Sequence, residues 1–98
     1  MKFYHATTMA NALQIVEDGV IRAHFGEVFF CKAPLDACKF LLLRGLRRVG
    51  VFEVELDEKN VEESFDHNER FFGCKAYIHK GDVLLSGSEE LRQYDFDL

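Results

Sequence analysis

The sequence has few of the features that mark membrane, disulfide-rich or metal-binding proteins. Among its 98 residues, no apolar run approaches the roughly twenty that cross a membrane, and no long apolar segment stands near the N-terminus, as in a secretory signal. The three cysteines are odd in number and lack C-x-x-C spacing, which argues against a disulfide framework and a zinc site. We therefore expect a cytoplasmic protein with no metal site and with buried free thiols at Cys31, Cys38 and Cys74.

Positive charge is also scarce. The chain has 12 basic and 17 acidic residues and a net charge of −5, which argues against general nucleic-acid binding. Residues 32–48 reverse this balance, because they hold five basic residues and a single acid, Asp36. This basic patch would suit a phosphate or an acidic partner, and it would equally suit the negative C-terminal end of a helix dipole.

No internal repeat, low-complexity tract or linker divides the chain. Hydrophobic residues make up 48% of it and ten residues are phenylalanine, a composition typical of an ordered core rather than of a disordered segment. A chain of this length buries roughly 60–70% of its unfolded surface. We predict one α+β domain over residues 1–98, with two small, mostly antiparallel sheets around a cleft and two main helices.

The first twenty residues predict a strand, a capped helix and a second short strand. Residues 2–5 form the first strand and deliver His5 to its end, where a side chain can face a cleft. Thr7 or Thr8 can cap the helix, and Gly19 ends it before a strand at residues 20–21. The predicted apolar stripe of the helix is Met9, Ala12, Leu13 and Val16.

Further along, one helix and several strands are predicted. Residues 28–32 are a short apolar run, expected to be a strand buried on both faces. Pro34 suits a helix start and Gly45 its end, so residues 34–44 are predicted helical. A strand that alternates towards its end is predicted at 47–56, followed by an irregular or partly helical loop at 57–70. Residues 71–78 have strand composition, and a turn at 80–81 leads to an apolar stretch at 83–85. Residues 88–98 are predicted to form either an edge strand or a tail that folds on a partner.

Two of these segments together resemble the ADP-ribosyltransferase superfamily, which includes diphtheria-toxin-like toxins and poly(ADP-ribose) polymerases. The second motif of that family is similar to the strand at residues 27–31 followed by a helix with Ala37 and Phe40. The first motif is similar to residues of the strand, helix and glycine described above: Tyr4, His5, Ala6, Thr7, Ile15, Gly19 and Val20.

The resemblance implies that NAD binds in a cleft. His5 would hold the ribose hydroxyls, with Ala6 and Thr7 beside it in the same motif. Phe29 and Phe40 would line the nicotinamide pocket, and either could equally be a core residue. The remaining implied contact is with phosphate, through Arg22 or Lys32.

The third motif of the family is altered. Ala76 stands where the resemblance implies the catalytic glutamate. Glu53, Glu55 or Glu69 could supply a carboxylate instead, and some members of the family work without the glutamate. The leading expectation is an enzyme that transfers ADP-ribose from NAD to a protein or other macromolecule, in the manner of a bacterial or phage effector. The alternative is an inactive member of the family that binds a nucleotide or a protein partner. RNA 2′-phosphotransferases share the fold, but the acidic charge and short chain argue against that activity.

Overall fold

Two helices and eight strands follow one another in residues 1–64 and 75–96, the part of the chain that the computed structural model describes. Residues 71–74 of a predicted strand and the last two residues of the chain lie outside this part. The elements are β1 (Lys2–Thr8), α1 (Met9–Asp18), β2 (Val20–Ile21), β3 (Glu27–Phe30), α2 (Pro34–Leu43), β4 (Arg48–Glu55), a 3₁₀ turn (Glu58–Asn60), β5 (Val61–Ser64), β6 (Ala76–Lys80), β7 (Val83–Leu84) and β8 (Glu90–Asp95).

The described strands form small antiparallel sheets, in the orders β1-β4-β8, β2-β7 and β3-β6-β5. The α+β class with two helices is therefore confirmed, but the described residues form three sheets rather than the predicted two. The third arises because β2 and β7 are two residues long and pair with each other. Neither helix of these residues is long and apolar enough to span a membrane.

One residue pair joins the two larger sheets. Tyr4 of β1 donates its N–H to the Cys31 carbonyl at 2.8 Å, and Cys31 donates its N–H back to the Tyr4 carbonyl at 2.9 Å. The pair is isolated, so β1 and β3 do not continue as a hydrogen-bonded ladder. Because the two strands diverge around this pair, a gap opens between the two sheets.

β4 is the central strand of its sheet and is covered on both faces. Phe52 packs in the main core cluster with Phe3 and residues of α1, whereas Val49 and Val51 pack with Cys38 of α2. The predicted strand is confirmed, and so is its alternation after residue 51, where Phe52 and Val54 are buried and Glu55 is exposed. Residues 49–51 are buried rather than half-exposed, because a helix covers each side there.

α1 begins and ends as predicted but turns a different face to the sheet. The Thr8 hydroxyl accepts the N–H of Asn11 at 3.2 Å, and Gly19 ends the helix at φ 70°. The buried side chains are Ala12 and Ile15. The predicted stripe is therefore wrong at two positions, which are exposed: Leu13 at 60% and Val16 at 56%.

Gly50 explains this orientation of α1. A Cβ at position 50 would lie 2.7 Å from the Cβ of Ala12 and 3.0 Å from the sulfur of Met9. The helix and β4 therefore approach so closely that only small side chains fit between them. The size of Ala12 decides which face is buried, although Leu13 and Val16 are more hydrophobic.

Three strand predictions need correction. β1 extends to Thr8 because every residue of it pairs with β4, so His5 lies in the middle of the strand instead of at its end. β3 is buried on one face only, because Phe29 is 45% exposed. β5 lies in the segment predicted as a loop. Its glutamates interrupt the hydrophobic pattern typical of a strand. Glu62 forms an ion pair with Lys80 at 3.9 Å, and Glu63 forms one with Lys75 at 3.6 Å.

β8 pairs with β4 along its whole length and forms an edge of the sheet. The predicted edge strand is thus confirmed up to Asp95, and the alternative of a tail without a fold of its own is wrong for the described residues. The turn before β8 is held by the Glu89 carboxylate, which accepts the N–H groups of Ser86 and Gly87, both at 2.9 Å.

Candidate functional site

A cleft of about 900 Å³ lies at the gap between β1 and β3. Both helices, β2 and the segment after it contribute to its walls, and Ala76 and Ser64 contribute from β6 and β5. Of the seven residues that the sequence analysis named for a ligand site, six line this cleft: His5, Ala6, Thr7, Arg22, Phe29 and Phe40.

His5 bridges the gap with one ring nitrogen. Its Nδ1 lies 2.8 Å from the carbonyl oxygen of Phe29. A carbonyl only accepts hydrogen bonds, so Nδ1 carries the proton, and in the neutral ring Nε2 is an acceptor. Burial lowers the pKa of His5 below its usual range, the Phe29 carbonyl opposes this shift, and nearby His24 adds to it. The ring is therefore neutral at pH 7, with an acceptor available for a hydroxyl.

Ala6 offers backbone groups at the edge of β1. In an antiparallel ladder, alternate residues point both backbone polar groups to the same side. Tyr4 directs its N–H and C=O to Cys31, away from β4, so Ala6, two residues on, directs its own N–H and C=O to the same side. The cleft is thus bordered by a donor and an acceptor that belong to one residue.

Thr7 is held in place by α1. Its hydroxyl oxygen accepts the side-chain N–H of Asn11 at 2.9 Å, and the residue is buried. Asn11 also lines the cleft, although sequence reasoning did not select it. The sequence offers little reason to select Asn11, because asparagine is common near the start of a helix, where it takes part in capping.

The two aromatic residues predicted to line a pocket have different surroundings. Phe29 is 45% exposed within the cleft wall. Phe40 is half-buried and packs in a small apolar cluster with Tyr4, Ala6 and Ala37. Phe40 therefore packs against its apolar neighbours and also lines the cleft.

Two arginines line the cleft, Arg22 and Arg44. Arg22 lies 3.7 Å from Asp18, and its side chain is 69% exposed. Arg44 follows the last turn of α2 and belongs to the basic patch noted in the sequence. Lys32 does not line the cleft, because its Nζ lies over the ring of Tyr77, 4.8 Å from the centroid.

The glutamates that were expected to replace the catalytic carboxylate do not lie at the cleft where the structure describes them. Glu53 accepts a hydrogen bond from the Tyr4 hydroxyl at 2.9 Å, and Glu55 binds the N-terminal ammonium at 2.6 Å. Neither lines the cleft, so the expectation that one of them replaces the missing glutamate is wrong, and Glu69 lies outside the described residues. Ala76 itself lines the cleft and is 2% exposed.

Asp18 and Glu27 are the carboxylates that border the cleft within the described part of the chain. Asp18 is the partner of Arg22. Glu27 opens β3 and lies opposite Lys80 of β6. Because Ala76 is four residues before Lys80 along β6, the carboxylate of Glu27 is about 13 Å along the sheet from that position.

Thiols and metal ligands do not add a second site. Cys31 and Cys38 are buried thiols, as predicted for these two, and burial raises the pKa of Cys38 to about 11. Cys38 is therefore protonated at neutral pH and is a poor nucleophile. No group of three or more potential metal ligands occurs within residues 1–64 and 75–96.

Searches for relatives give no independent guide to the site. No protein family model, curated protein or solved structure shows significant similarity to this chain.

Proposed function

We propose that the cleft binds NAD and that the chain is an ADP-ribosyltransferase-like protein, which transfers ADP-ribose to a protein acceptor. One observation carries the proposal. Five residues selected from two separate sequence motifs lie around a single cleft, which Arg22 also lines: His5, Ala6, Thr7, Phe29 and Phe40. The volume of the cleft is within the usual range for small-molecule sites, roughly 300–1,000 Å³.

In the proposed complex, His5 binds the ribose. A neutral ring with its proton on Nδ1 offers Nε2 as an acceptor for a ribose hydroxyl. The bond from Nδ1 to the Phe29 carbonyl fixes the orientation of the ring. A ligand held in this way contacts a side chain that already connects both sheets.

The nicotinamide contact is argued from Ala6 and Phe29. A carboxamide has one acceptor and a pair of donors, which match the N–H and C=O that Ala6 presents at the edge of β1. The exposed ring of Phe29 offers a face for stacking on a planar heterocycle. Together they favour a flat ligand that carries an amide.

The phosphate contact is argued from Arg22 and Arg44. The ion pair of Arg22 with Asp18 is long and exposed, and such pairs contribute about 0–1 kcal/mol. Arg22 can therefore exchange Asp18 for a phosphate at little cost. Arginine is well suited to this contact because its planar group donates two parallel hydrogen bonds.

A second candidate function is an inactive module that binds NAD or a related nucleotide, or a protein partner. It is favoured because Ala76 brings only a methyl group to the cleft, while Glu53 binds the Tyr4 hydroxyl and Glu55 binds the N-terminal ammonium. Loss of one well-placed electrostatic group costs about 10²–10³-fold in rate. Measured conversion of NAD to nicotinamide, with and without protein acceptors, separates the two candidates.

The binding test compares two substitutions of His5. His5→Asn keeps a donor near the position of Nδ1 for the Phe29 carbonyl and removes the acceptor at Nε2, whereas His5→Ala removes both. If Nε2 binds the ribose, each substitution weakens NAD binding by about 1–3 kcal/mol, the value of one or two hydrogen bonds. Calorimetric or NMR titration with NAD measures the effect.

The control for this test is Leu35→Gln, on the exposed surface of α2 outside the cleft. It should leave NAD affinity unchanged. Wild-type protein that fails to bind NAD at millimolar concentration would refute the proposed function. Equal affinity for wild type and His5→Asn would remove His5 from the ligand contacts.

A further inference from the structure

A tight hairpin at the rim of the cleft sets two titratable side chains next to each other. His24 and Glu27 exchange both backbone hydrogen bonds across a two-residue turn, at 2.9 and 3.1 Å. Residues that pair directly in this way point their side chains to the same face, with Cβ atoms about 4.5–5.5 Å apart. An imidazole and a carboxylate therefore lie side by side, and both residues line the cleft.

The backbone of this turn is strained and is held by its neighbours. Both central residues have positive φ, 52° at Phe25 and 81° at Gly26, although a turn of this geometry favours Asn, Asp or Gly where the chain has Phe25. Gly81 donates its N–H to the Gly26 carbonyl at 2.7 Å. The Asp82 carboxylate accepts the N–H of Ala23 at 2.7 Å. Backbone strain that the surrounding structure maintains is typical of functional sites.

The two side chains of the pair are available to a molecule in the cleft. His24 is exposed and Glu27 is half-buried. Within residues 1–64 and 75–96, neither side chain takes part in a hydrogen bond or an ion pair. Lys80 lies opposite Glu27 in the ladder, but its Nζ is 3.9 Å from the carboxylate of Glu62. The fold therefore uses neither group.

The hairpin lies beside the atoms that the proposed site would hold. Glu27 and Phe29 are alternate residues of β3, so their side chains share one face and are about 7 Å apart along the strand. His24 is close enough to His5 to lower its pKa. With nicotinamide on Phe29 and the ribose at His5, the bond between these two parts of NAD would lie next to the hairpin.

We propose that His24 is the general base of the transfer reaction and that Glu27 is a positioning residue that orients its ring. Imidazole groups exchange protons near neutral pH, which suits them to this role, and a neighbouring carboxylate stabilises the imidazolium that forms. The exposure of His24 suits it to reach a group on a separate acceptor molecule. This assignment rests on the proposed function, since it concerns the same cleft.

The step assigned to His24 is displacement of nicotinamide by a hydroxyl. The bond between ribose C1″ and the nicotinamide nitrogen breaks, and its electron pair stays on that nitrogen, whose positive charge is lost. A bond forms between C1″ and the hydroxyl oxygen of the acceptor. The proton of this hydroxyl passes to the His24 ring and then to solvent. Water in place of the acceptor gives ADP-ribose by the same route.

The test measures NAD binding and NAD cleavage separately, with water as the acceptor. His24→Ala should slow the release of nicotinamide by about 10²-fold or more, the usual contribution of a general base, and should leave the calorimetric NAD affinity unchanged. Sodium azide should restore cleavage of NAD by this variant, with ADP-ribosyl azide as the product, because azide ion has no proton to remove.

The matched control is His79→Asn. It removes a histidine that lies outside the cleft on β6 and keeps a donor for the Gly81 carbonyl. This variant should bind and cleave NAD as wild type does.

Glu27→Gln tests the positioning role, because it keeps the size of the side chain and removes its charge. It should lower kcat and leave the KM for NAD unchanged. In a protein that already carries His24→Ala, it should have no further effect. An equal effect with and without His24 would show that Glu27 does not act through His24.

Each remaining outcome decides the assignment. Unchanged cleavage by His24→Ala, a loss of cleavage that azide does not restore, or weaker NAD binding by this variant would overturn it. Wild-type protein that binds NAD and releases no nicotinamide would also overturn it, and would favour the inactive module. Wild-type protein that does not bind NAD would refute the proposed function itself, a result that the binding measurement identifies separately.

Discussion

At the scale of the residue, His5 takes part in both the fold and the cleft through different atoms. Nδ1 donates to the Phe29 carbonyl and so connects the two large sheets, while Nε2 is the acceptor that the proposed NAD site would use. The two roles require the same neutral tautomer. Protonation would leave the bond to Phe29 intact but would turn the acceptor at Nε2 into a donor.

The pH dependence of stability follows from the lowered pKa of His5. Below about pH 6.5, the usual value for histidine, the unfolded chain binds a proton that folded His5 binds less well. The free energy of unfolding should therefore decrease as the pH falls from 6.5 towards the folded pKa, and His5 should contribute no slope above 6.5.

Urea denaturation between pH 5 and 8 measures this slope, and His5→Asn is the control that removes the contribution of His5 alone. The free energy of unfolding of wild type minus that of His5→Asn should be constant at high pH and should decrease as the pH falls below about 6.5. A difference that is constant over the whole range would contradict the lowered pKa. NAD affinity should fall at the acidic end of this range, as the pH passes through the lowered pKa of folded His5 and the acceptor at Nε2 is lost.

At the scale of the element, the contact between α1 and β4 depends on small side chains. Gly50→Ala would place a methyl group 2.7 Å from the Cβ of Ala12, so either the helix or the strand must move. Overpacking of this kind costs about 1–3 kcal/mol. Thermal or urea unfolding of the variant should show this loss, and NAD affinity should fall as well, because α1 carries Asn11 and holds Thr7.

The double variant Ala12→Gly with Gly50→Ala is the control for this steric explanation. It restores the space at the contact between α1 and β4, but glycine at position 12 of the helix still lowers the stability by about 1 kcal/mol. The double variant should therefore be more stable than the sum of the two single changes indicates. Strict additivity would mean that the two residues do not collide.

Local backbone signals explain which elements could be predicted. Gly19 and Pro34 bounded their helices correctly because each acts through its own φ angle. β5 was missed because its glutamates are satisfied by lysines on a neighbouring strand, which is information from another part of the chain. The buried face of α1 was misassigned because the deciding residue, Gly50, lies more than thirty positions away.

The residues of the cleft also divide into those that a local pattern indicates and those that depend on distant parts of the chain. Motif residues on β1, β3 and α2 could be selected from sequence, since their spacing is local. Arg44 and Asn11 could not, because their place in the cleft depends on how the helices sit against the sheets. The partners of Glu53 and Glu55 depend on the register of β1 against β4, which no local pattern specifies.

At the scale of the whole molecule, the cleft lies between two sheets that Tyr4 and Cys31 connect directly. A ligand bound there would contact both sheets and stabilise their arrangement. NAD should therefore raise the melting temperature, and at concentrations above the Kd this rise should continue with the logarithm of the NAD concentration. At 100 times the Kd, the added stability is about 2.7 kcal/mol. Differential scanning calorimetry over a range of NAD concentrations measures this.

Hydrogen exchange locates the same effect. Protection by NAD should increase at the edge of β1, at Ala6, and in β3, while β8 on the far edge of its sheet should change little beyond the global shift in stability. An equal rise in protection throughout the chain, or a rise confined to β8, would place the ligand elsewhere.

The strand order β1-β4-β8 also bears on how the chain acquires its structure. Lys2–Thr8 finds its ladder partner only at Arg48–Glu55, after both helices, so no early hairpin can hold the first strand. Closure of such long loops must precede the contacts that stabilise them, and domains rich in distant pairings fold in about milliseconds to seconds rather than microseconds. During synthesis the first strand emerges well before its partner, so the β1-β4 ladder beside His5 can form only after residue 55 has been added.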